Sequence, residues 1–264
     1  MRFCSLSSCS TWGNAYLIEH GGSYVLIEYG TAARTLKEGF SACNVGPGHI
    51  LGVFISHEHS DHCRTLRLQF HKKFGIERFY ASRGTWANLD NHFPRHVIED
   101  RTSVGVGPFT VSCFRKSHDA AEPVGFVVEA GGEKIAVVTD LGCITTEVVK
   151  AARDVDYMIL ESNHDPKMQL ESGRPWYVIQ RVLGDSGHLS NDQAAEFFAH
   201  IASERLRSVL LAHLSLDCNT PELALRTFTR RAEHIGYEGT IGVAPACGPS
   251  KWYGNVGNSR GCAD

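Results

Sequence analysis

The segment Phe54-Ile55-Ser56-His57-Glu58-His59-Ser60-Asp61-His62-Cys63 ends an apolar run and then delivers three imidazoles and a carboxylate, at His57, His59, Asp61 and His62. Core packing does not produce such a density of polar side chains. Imidazole and carboxylate without thiolate suit zinc, manganese or iron in a hydrolytic site. In an extended turn, His57 and His59 can face one ion while the following pair, Asp61 and His62, faces another. The alternatives are a solvated histidine cluster or a single structural ion, and an H-x-H-x-D-H pattern directly after a strand disfavours both.

A site this open needs further ligands. Phe114-Arg115-Lys116-Ser117-His118 ends one apolar run in a histidine, Val137-Val138-Thr139-Asp140 ends another in an aspartate, and Leu210-Leu211-Ala212-His213 ends a third in a histidine. Any one of these alone would serve equally well as a strand-end turn residue. Taken with the first segment they form a set, because residues at the same ends of several strands converge on one rim of a scaffold.

The elements that must position them follow from periodicity. Apolar, β-branched runs predict strands at 15–19, 24–28, 50–56, 78–81, 109–115, 124–129, 134–139, 157–161, 208–212 and 240–243. Helical spacing predicts helices at 34–40, 63–74, 145–152, 191–204 and 221–235. Two helix starts are chemically marked: Ser190 followed by Gln193 reads as a capping box, and Thr220-Pro221 places an N-cap before a proline at the first helical position. Gly21-Gly22, Gly105-x-Gly107 and Gly131-Gly132 read as loops or hairpins. Alternating strands and helices in two β-rich halves predict an α/β protein whose sheets pack face to face, with helices on both outer faces.

The 264 residues, 42% hydrophobic and 21% charged, fit one globular domain over 1–264, with a flexible Gly/Ser/Asn-rich tail from about 249. A formal charge of -3 supplies no global attraction for nucleic acid or anionic membrane, so a polyanion site would have to be local. The nine cysteines are scattered singly, without a C-x-x-C pair, and read as buried small hydrophobes of a reducing compartment rather than as disulfides or zinc thiolates. No apolar stretch reaches membrane-spanning length and the N-terminus has no signal-peptide pattern, so the expectation is a cytoplasmic protein with no membrane contact. Oligomeric state is left open.

The H-x-H-x-D-H segment followed by His118, Asp140 and His213 resembles the metallo-β-lactamase superfamily, whose members hydrolyse phosphodiesters, thioesters, lactones and β-lactams. Within it the chain looks like the bacterial YycJ (WalJ) branch, related to ribonuclease Z-like nucleases. The motifs that carry this closer likeness are Phe3-Cys4-Ser5-Leu6, Gly13-Asn14, Glu161-Ser162-Asn163-His164-Asp165, Gly187-His188-Leu189-Ser190-Asn191 and His213-Leu214-Ser215 through Asn219-Thr220-Pro221-Glu222-Leu223. Three features depart from the pattern. Glu28 stands, before the bulky Tyr29, where the superfamily usually has an aspartate that supports the metal loop. Cys218 precedes Asn219 where the branch more often has two asparagines, and Cys9 and Trp12 interrupt a turn of usually small residues.

The resemblance implies a four-layer αββα sandwich of two mixed sheets. It implies two divalent metal ions, zinc or manganese and in some settings iron: His57, His59 and His118 would hold one, Asp61, His62 and His213 the other, and Asp140 would bridge them. A water between the ions would act as nucleophile with Asp61 orienting it. The leaving oxygen would need a proton donor, for which His188 and His164 are the candidates. Arg64 and Arg67 on the predicted helix after the metal motif, spaced with His71 along one face, and Lys116 before a ligand are candidate phosphate contacts; Lys72, Lys73, Lys167, Arg174 and Arg181 are weaker ones. For Trp176-Tyr177, base stacking competes with ordinary core packing. The expected function is a metal-dependent phosphodiesterase, an exonuclease on DNA or RNA. The alternatives are hydrolysis of a small cyclic phosphodiester, ester or thioester, and a metal-binding interaction protein without turnover.

Overall fold

The computed structural model describes residues 1–255 apart from Gln69 and residues 90–92. One sheet takes β1 (Arg2–Ser7), β2 (Ala15–His20), β3 (Ser23–Ile27), β4 (Ile50–Phe54), β5 (Phe79–Ala81) and β6 (Arg95–Val97). The other takes β7 (Ser103–Val106), β8 (Phe109–Arg115), β9 (Val124–Ala130), β10 (Glu133–Val138), β11 (Tyr157–Glu161), β12 (Ser208–Ala212) and β13 (Thr240–Val243). A last short strand, β14 (Tyr253–Gly254), returns to the first sheet, giving the orders β14-β1-β2-β3-β4-β5-β6 and β13-β12-β11-β10-β9-β8-β7. Both sheets are mixed: β14 to β3 and β7 to β10 pair antiparallel, whereas β3 to β6 and β10 to β13 pair parallel.

Alternation along the strands sorts side chains into layers. In β3, Val25 and Ile27 face the other sheet, while Tyr24 and Leu26 face outward; in β11, Tyr157 and Ile159 face inward and Met158 and Leu160 outward. Burial on both faces explains why these strands read as continuous apolar runs. Helix α1 (Ala33–Ala42) covers the first sheet through Leu36 and Phe40. The segment that follows the metal motif holds α2 (Ser60–Cys63), a 3-10 turn at Arg64–Leu68 and α3 (Phe70–Phe74), and α4 (Arg83–Ala87) lies beyond β5. On the second sheet pack α5 (Thr146–Ala152), α8 (Asn191–Ile201) and α9 (Pro221–Ile235), the last two through Phe197, Phe198 and Phe228. Between them in sequence lie α6 (Pro166–Leu170) and α7 (Trp176–Leu183). The result is the expected αββα sandwich. In the central layer Phe54 stacks on Tyr80 at 4.6 Å, and its truncation to alanine would cost about 3–5 kcal/mol.

Both marked helix starts form as read: Ser190 and Gln193 make the reciprocal capping box, and Thr220 caps α9 by accepting from Leu223 N. The single helix expected over 63–74 is broken instead. Thr65 N donates to the Tyr29 carbonyl and Tyr29 N to that of His62, so loop 29–31 pulls the segment out of α-helical register. The pair Gly105 and Gly107 does not mark a loop throughout: 103–106 is strand, with the turn at Gly107. Of the expected tail, residues 256–264 lie outside the described residues, while the stretch before them is anchored by Tyr253, which is buried opposite Phe3.

Candidate metal centre and active site

Six ligand-type side chains stand just past, or at, the carboxyl end of a strand: Glu28 after β3, His57 after β4, His118 after β8, Asp140 after β10, Glu161 at the end of β11 and His213 after β12, while His59, Asp61 and His62 follow on α2 and its N-cap. Three of them, Glu28, Asp140 and His213, hold φ angles of 67°, 59° and 57°. Left-handed backbone at non-glycine residues costs about 1–3 kcal/mol each, and here it turns each side chain from the sheet plane onto the rim.

The side chains converge in two groups that could each hold an ion, with ligand atoms lying within 4.8 Å of one another: His57, His59 and His118, and Asp61, His62, Asp140 and His213. Asp140 stands between them. Its Oδ1 lies 3.4 Å from His62 Nε2, 3.3 Å from His213 Nε2 and 3.9 Å from His118 Nε2. Asp61 Oδ2 lies 3.2 Å from His62 Nε2 and 3.3 Å from His213 Nε2.

The donor chemistry fits metal. His57 Nδ1 is engaged by Ser56 Oγ at 2.8 Å, which leaves a buried Nε2 with no hydrogen-bond partner. Burial first, then the charges of His62 and Lys116, push the His57 imidazole well below its ordinary value, and burial lowers His118 to about 4, so both are neutral and ready to ligate. The second group is strongly anionic in character. Burial opposes charge on His62 and His213, yet Asp140 and Asp61 outweigh it, holding His62 well above its ordinary value and raising His213 to about 10. Burial likewise opposes ionisation of Asp140, but His213, His62 and Lys116 keep its carboxyl well below the usual range. A pocket that retains protons on two buried imidazoles is one where cationic charge is favoured.

Around the groups sits a shell of fixed partners. Glu28 Oε2 accepts from Ser56 N at 3.2 Å, and its Oε1 lies 3.3 Å from His62 Nδ1. The longer side chain thus reaches both the metal loop and a ligand. Gly30 is required beside it: a Cβ there would fall 1.7 Å from the Asp61 carbonyl oxygen. Asn14 Nδ2 donates to that same carbonyl at 3.3 Å, and Ser8 Oγ accepts from His213 N at 2.8 Å. Asn163 Nδ2 donates to the His213 carbonyl at 2.9 Å, and Asn219 Nδ2 donates to the Ser162 carbonyl at 2.8 Å and to Asn191 Oδ1 at 2.9 Å. The later sequence motifs therefore tie together the junctions that carry Glu161, His188 and His213.

His188 lines the cavity beside the two groups, and its Nδ1 lies 2.8 Å from Glu161 Oε1. Glu161 is wholly buried and fully engaged: Oε1 also meets His213 Nδ1 at 3.0 Å, and Oε2 accepts from Leu141 N at 3.0 Å and Leu189 N at 3.1 Å. Together with Asp140 and His213, Glu161 and His188 form a third cluster of ligand-type atoms. Sequence reasoning gave Glu161 no role, although its strand-end position, matching that of Asp140, was the signal for one.

Two expected site residues are corrected. His164, expected as a proton donor, is fully buried and is not among the cavity-lining residues, and burial pushes its imidazole to about 4. Lys116 is no phosphate contact: its buried ammonium donates to the Thr139 carbonyl at 2.7 Å and sits 3.7 Å from Asp140 Oδ2. The expected stripe of Arg64, Arg67 and His71 is lost with the helix that carried it. Arg64 and Arg67 are exposed, whereas His71 is buried against Phe79.

The cavity over the site has a volume of about 190 Å³. Its floor is His59, Asp61, His118, Asp140, His188 and His213, and its walls come from Ser10, Asn163, Ser215 and, on α7 and just before it, Arg174, Val178, Arg181 and Val182. Among the described residues, no helix is long and apolar enough to cross a membrane.

This geometry agrees with comparisons to known proteins. Exodeoxyribonuclease YycJ of Bacillus anthracis is 31% identical over 245 residues, covering 90% of this chain and 91% of that protein. Exodeoxyribonuclease WalJ of Streptococcus pneumoniae is 26% identical over 238 residues, 87% of each. Among solved structures, the metallo-β-lactamase fold protein YhfI of Bacillus subtilis superposes with a TM-score of 0.68 at 16% identity, over 95% of this chain and 99% of that one. The short form of human tRNase Z does so with a TM-score of 0.64 at 18% identity, over 95% and 99%. Residues 34–214 match the family model described as a β-lactamase superfamily domain. The chain belongs to that superfamily and has the metallo-β-lactamase fold.

Proposed function

We propose that the protein is a dinuclear metal-dependent phosphodiesterase that acts as an exonuclease on nucleic acid, with DNA as its first substrate. The observation that carries this reading is the pair of ligand groups flanking Asp140, with the Glu161–His188 pair beside them. Divalent cations held there, zinc or manganese, would bring the pKa of a water towards neutrality and stabilise charge on the attacked phosphorus.

The chain's own residues have separable tasks. His57, His59 and His118 would hold one ion through ring nitrogens, Asp61, His62 and His213 would hold the other, and Asp140 would lie between them. Asp61, the most accessible of the carboxylates, with its side chain 17% exposed, orients the nucleophile. Glu161 accepts from His188 Nδ1, so that a second proton, carried on Nε2 of the imidazolium, would pass to the leaving oxygen and leave the neutral Nδ1–H ring. Lys116 balances Asp140 from behind.

The two relatives named as exodeoxyribonucleases support a nucleic-acid substrate. A cavity of about 190 Å³ is too small for a double helix, which favours a single-stranded segment at the ions. The described cysteines are all unpaired, which fits a cytoplasmic setting.

The test is release of nucleotides from end-labelled single- and double-stranded DNA and RNA, with and without chelator, beside a small cyclic phosphodiester and a thioester. Chelator-sensitive release from DNA supports the reading. Turnover of the small substrates alone would move the assignment to a small-molecule hydrolase, and metal binding without any turnover would make this an interaction protein.

A further inference from the structure

Only three of the described phenylalanine, tyrosine and tryptophan side chains are exposed: Trp12 at 49%, Trp176 at 60% and Tyr177 at 72%. Each lies within two residues of a position that lines the cavity: Trp12 follows Ser10, and the other two stand between Arg174 and Val178. Large aromatic rings left in water beside cavity-lining positions, in a protein whose other described aromatic side chains are buried or half-buried, call for a ligand with flat apolar faces. The cavity mouth also carries cationic groups. Arg174 and Arg181 line the cavity, each held by one carboxylate, Arg174 by Asp217 at 2.6 Å and Arg181 by Asp119 at 2.5 Å. Arg64, exposed, reaches the carbonyl of Thr11 beside Trp12 at 3.2 Å.

Helix geometry separates the two neighbouring aromatics. Val178, Arg181 and Val182 mark the cavity face of α7. At about 100° per residue, Tyr177 stands one turn before Arg181 at the shoulder of that face, whereas Trp176 is turned to the far side.

We propose that the cavity mouth is a strand-end platform: Trp12 and Tyr177 stack on unpaired bases of a nucleic-acid terminus, while Arg174 and Arg181 take the adjoining phosphates. The proposal rests on the phosphodiesterase reading and extends it to how substrate is held. Stacking accepts any base, because every base has a π-face, so the platform gives grip without sequence preference. The guanidinium forks keep donors free beyond those used by Asp119 and Asp217, and can share a phosphate with them. A duplex end must fray to reach the ions.

The test uses metal-loaded protein and phosphorothioate oligonucleotides that resist cleavage. Binding of a fluorescent strand is compared with that of the same strand carrying abasic sugars at its last three positions. The wild-type protein is expected to prefer the normal strand by roughly ten-fold or more. The double variant Trp12→Ala/Tyr177→Ala, checked for an unchanged melting temperature, should lose that preference and bind both strands like the abasic one. Trp176→Ala should keep it. Equal binding of the two strands by wild type, or a preserved preference in the double variant, overturns the platform. If that occurs while labelled DNA is still hydrolysed, the phosphodiesterase reading stands and only the platform falls; if neither strand binds and none is hydrolysed, both fall.

Discussion

The carboxylate of Glu161 lies 2.8 Å from Nδ1 of His188, and the same oxygen lies 3.0 Å from Nδ1 of His213. One buried acid thus orients both the proposed proton donor and a proposed metal ligand. His188→Ala should lower kcat by about 10²–10⁴-fold on a substrate with a poor leaving group, with metal content unchanged and a much smaller loss on an activated ester. Loss of an ion in this variant would make His188 a ligand. Glu161→Gln should in addition weaken metal affinity by about 10–100-fold, because it loosens His213 as well; elemental analysis after dialysis reads the difference.

Lys116 and Asp140 give a second prediction. Removing the ammonium in Lys116→Met leaves a buried carboxylate with less compensation, which should cost the metal-free protein about 1–3 kcal/mol in denaturant unfolding. The metal-loaded protein should lose less. The salt dependence of DNA binding should not change, since this lysine does not reach the cavity; a flatter slope would restore it as a phosphate contact.

Proton competition gives a third. His62 and His213 are held in their charged forms in the metal-free chain, His213 up to about 10. Both must lose a proton to ligate, so loading should release about two protons at pH 7.5 and affinity should rise with pH, roughly ten-fold per unit for each proton displaced. The sign for stability is opposite. A raised histidine stabilises the metal-free fold fully below its unfolded value of about 6.5, and that contribution is lost as pH rises through about 10. Calorimetry in buffers of different ionisation enthalpy counts the protons; loading without proton release would contradict the charged forms of His62 and His213.

Gly30 provides a steric prediction. With a Cβ 1.7 Å from the Asp61 carbonyl oxygen, Gly30→Ala must displace the metal loop. The variant should lose metal and activity together, and retention of both would show that the loop yields.

The residues that cluster were legible because coordination needs particular atoms: His57, His118, Asp140 and His213 stand out by type and by strand-end position, and His59, Asp61 and His62 by their spacing after His57. What failed to show was context. Lys116 reads as a surface cation until it is seen buried beside Asp140, and His164 reads as a spare imidazole until it is seen to be fully buried. The strand Arg2–Ser7 escaped because its serines hide the alternation of Phe3 and Leu6. The helix expected over 63–74 failed because the 29–31 loop, distant in sequence, competes for its backbone. Trp176 and Tyr177 look like core residues, and only their exposure to solvent says otherwise.

The most direct measurement titrates metal-free protein with manganese or zinc while following nucleotide release from an end-labelled DNA strand. Activity should rise to a plateau at about two equivalents per chain, and Asp140→Asn, folded but without its bridging carboxylate, should stay lower by orders of magnitude throughout. Full activity at one equivalent, release that ignores metal, or wild-type rates in Asp140→Asn would contradict the dinuclear phosphodiesterase.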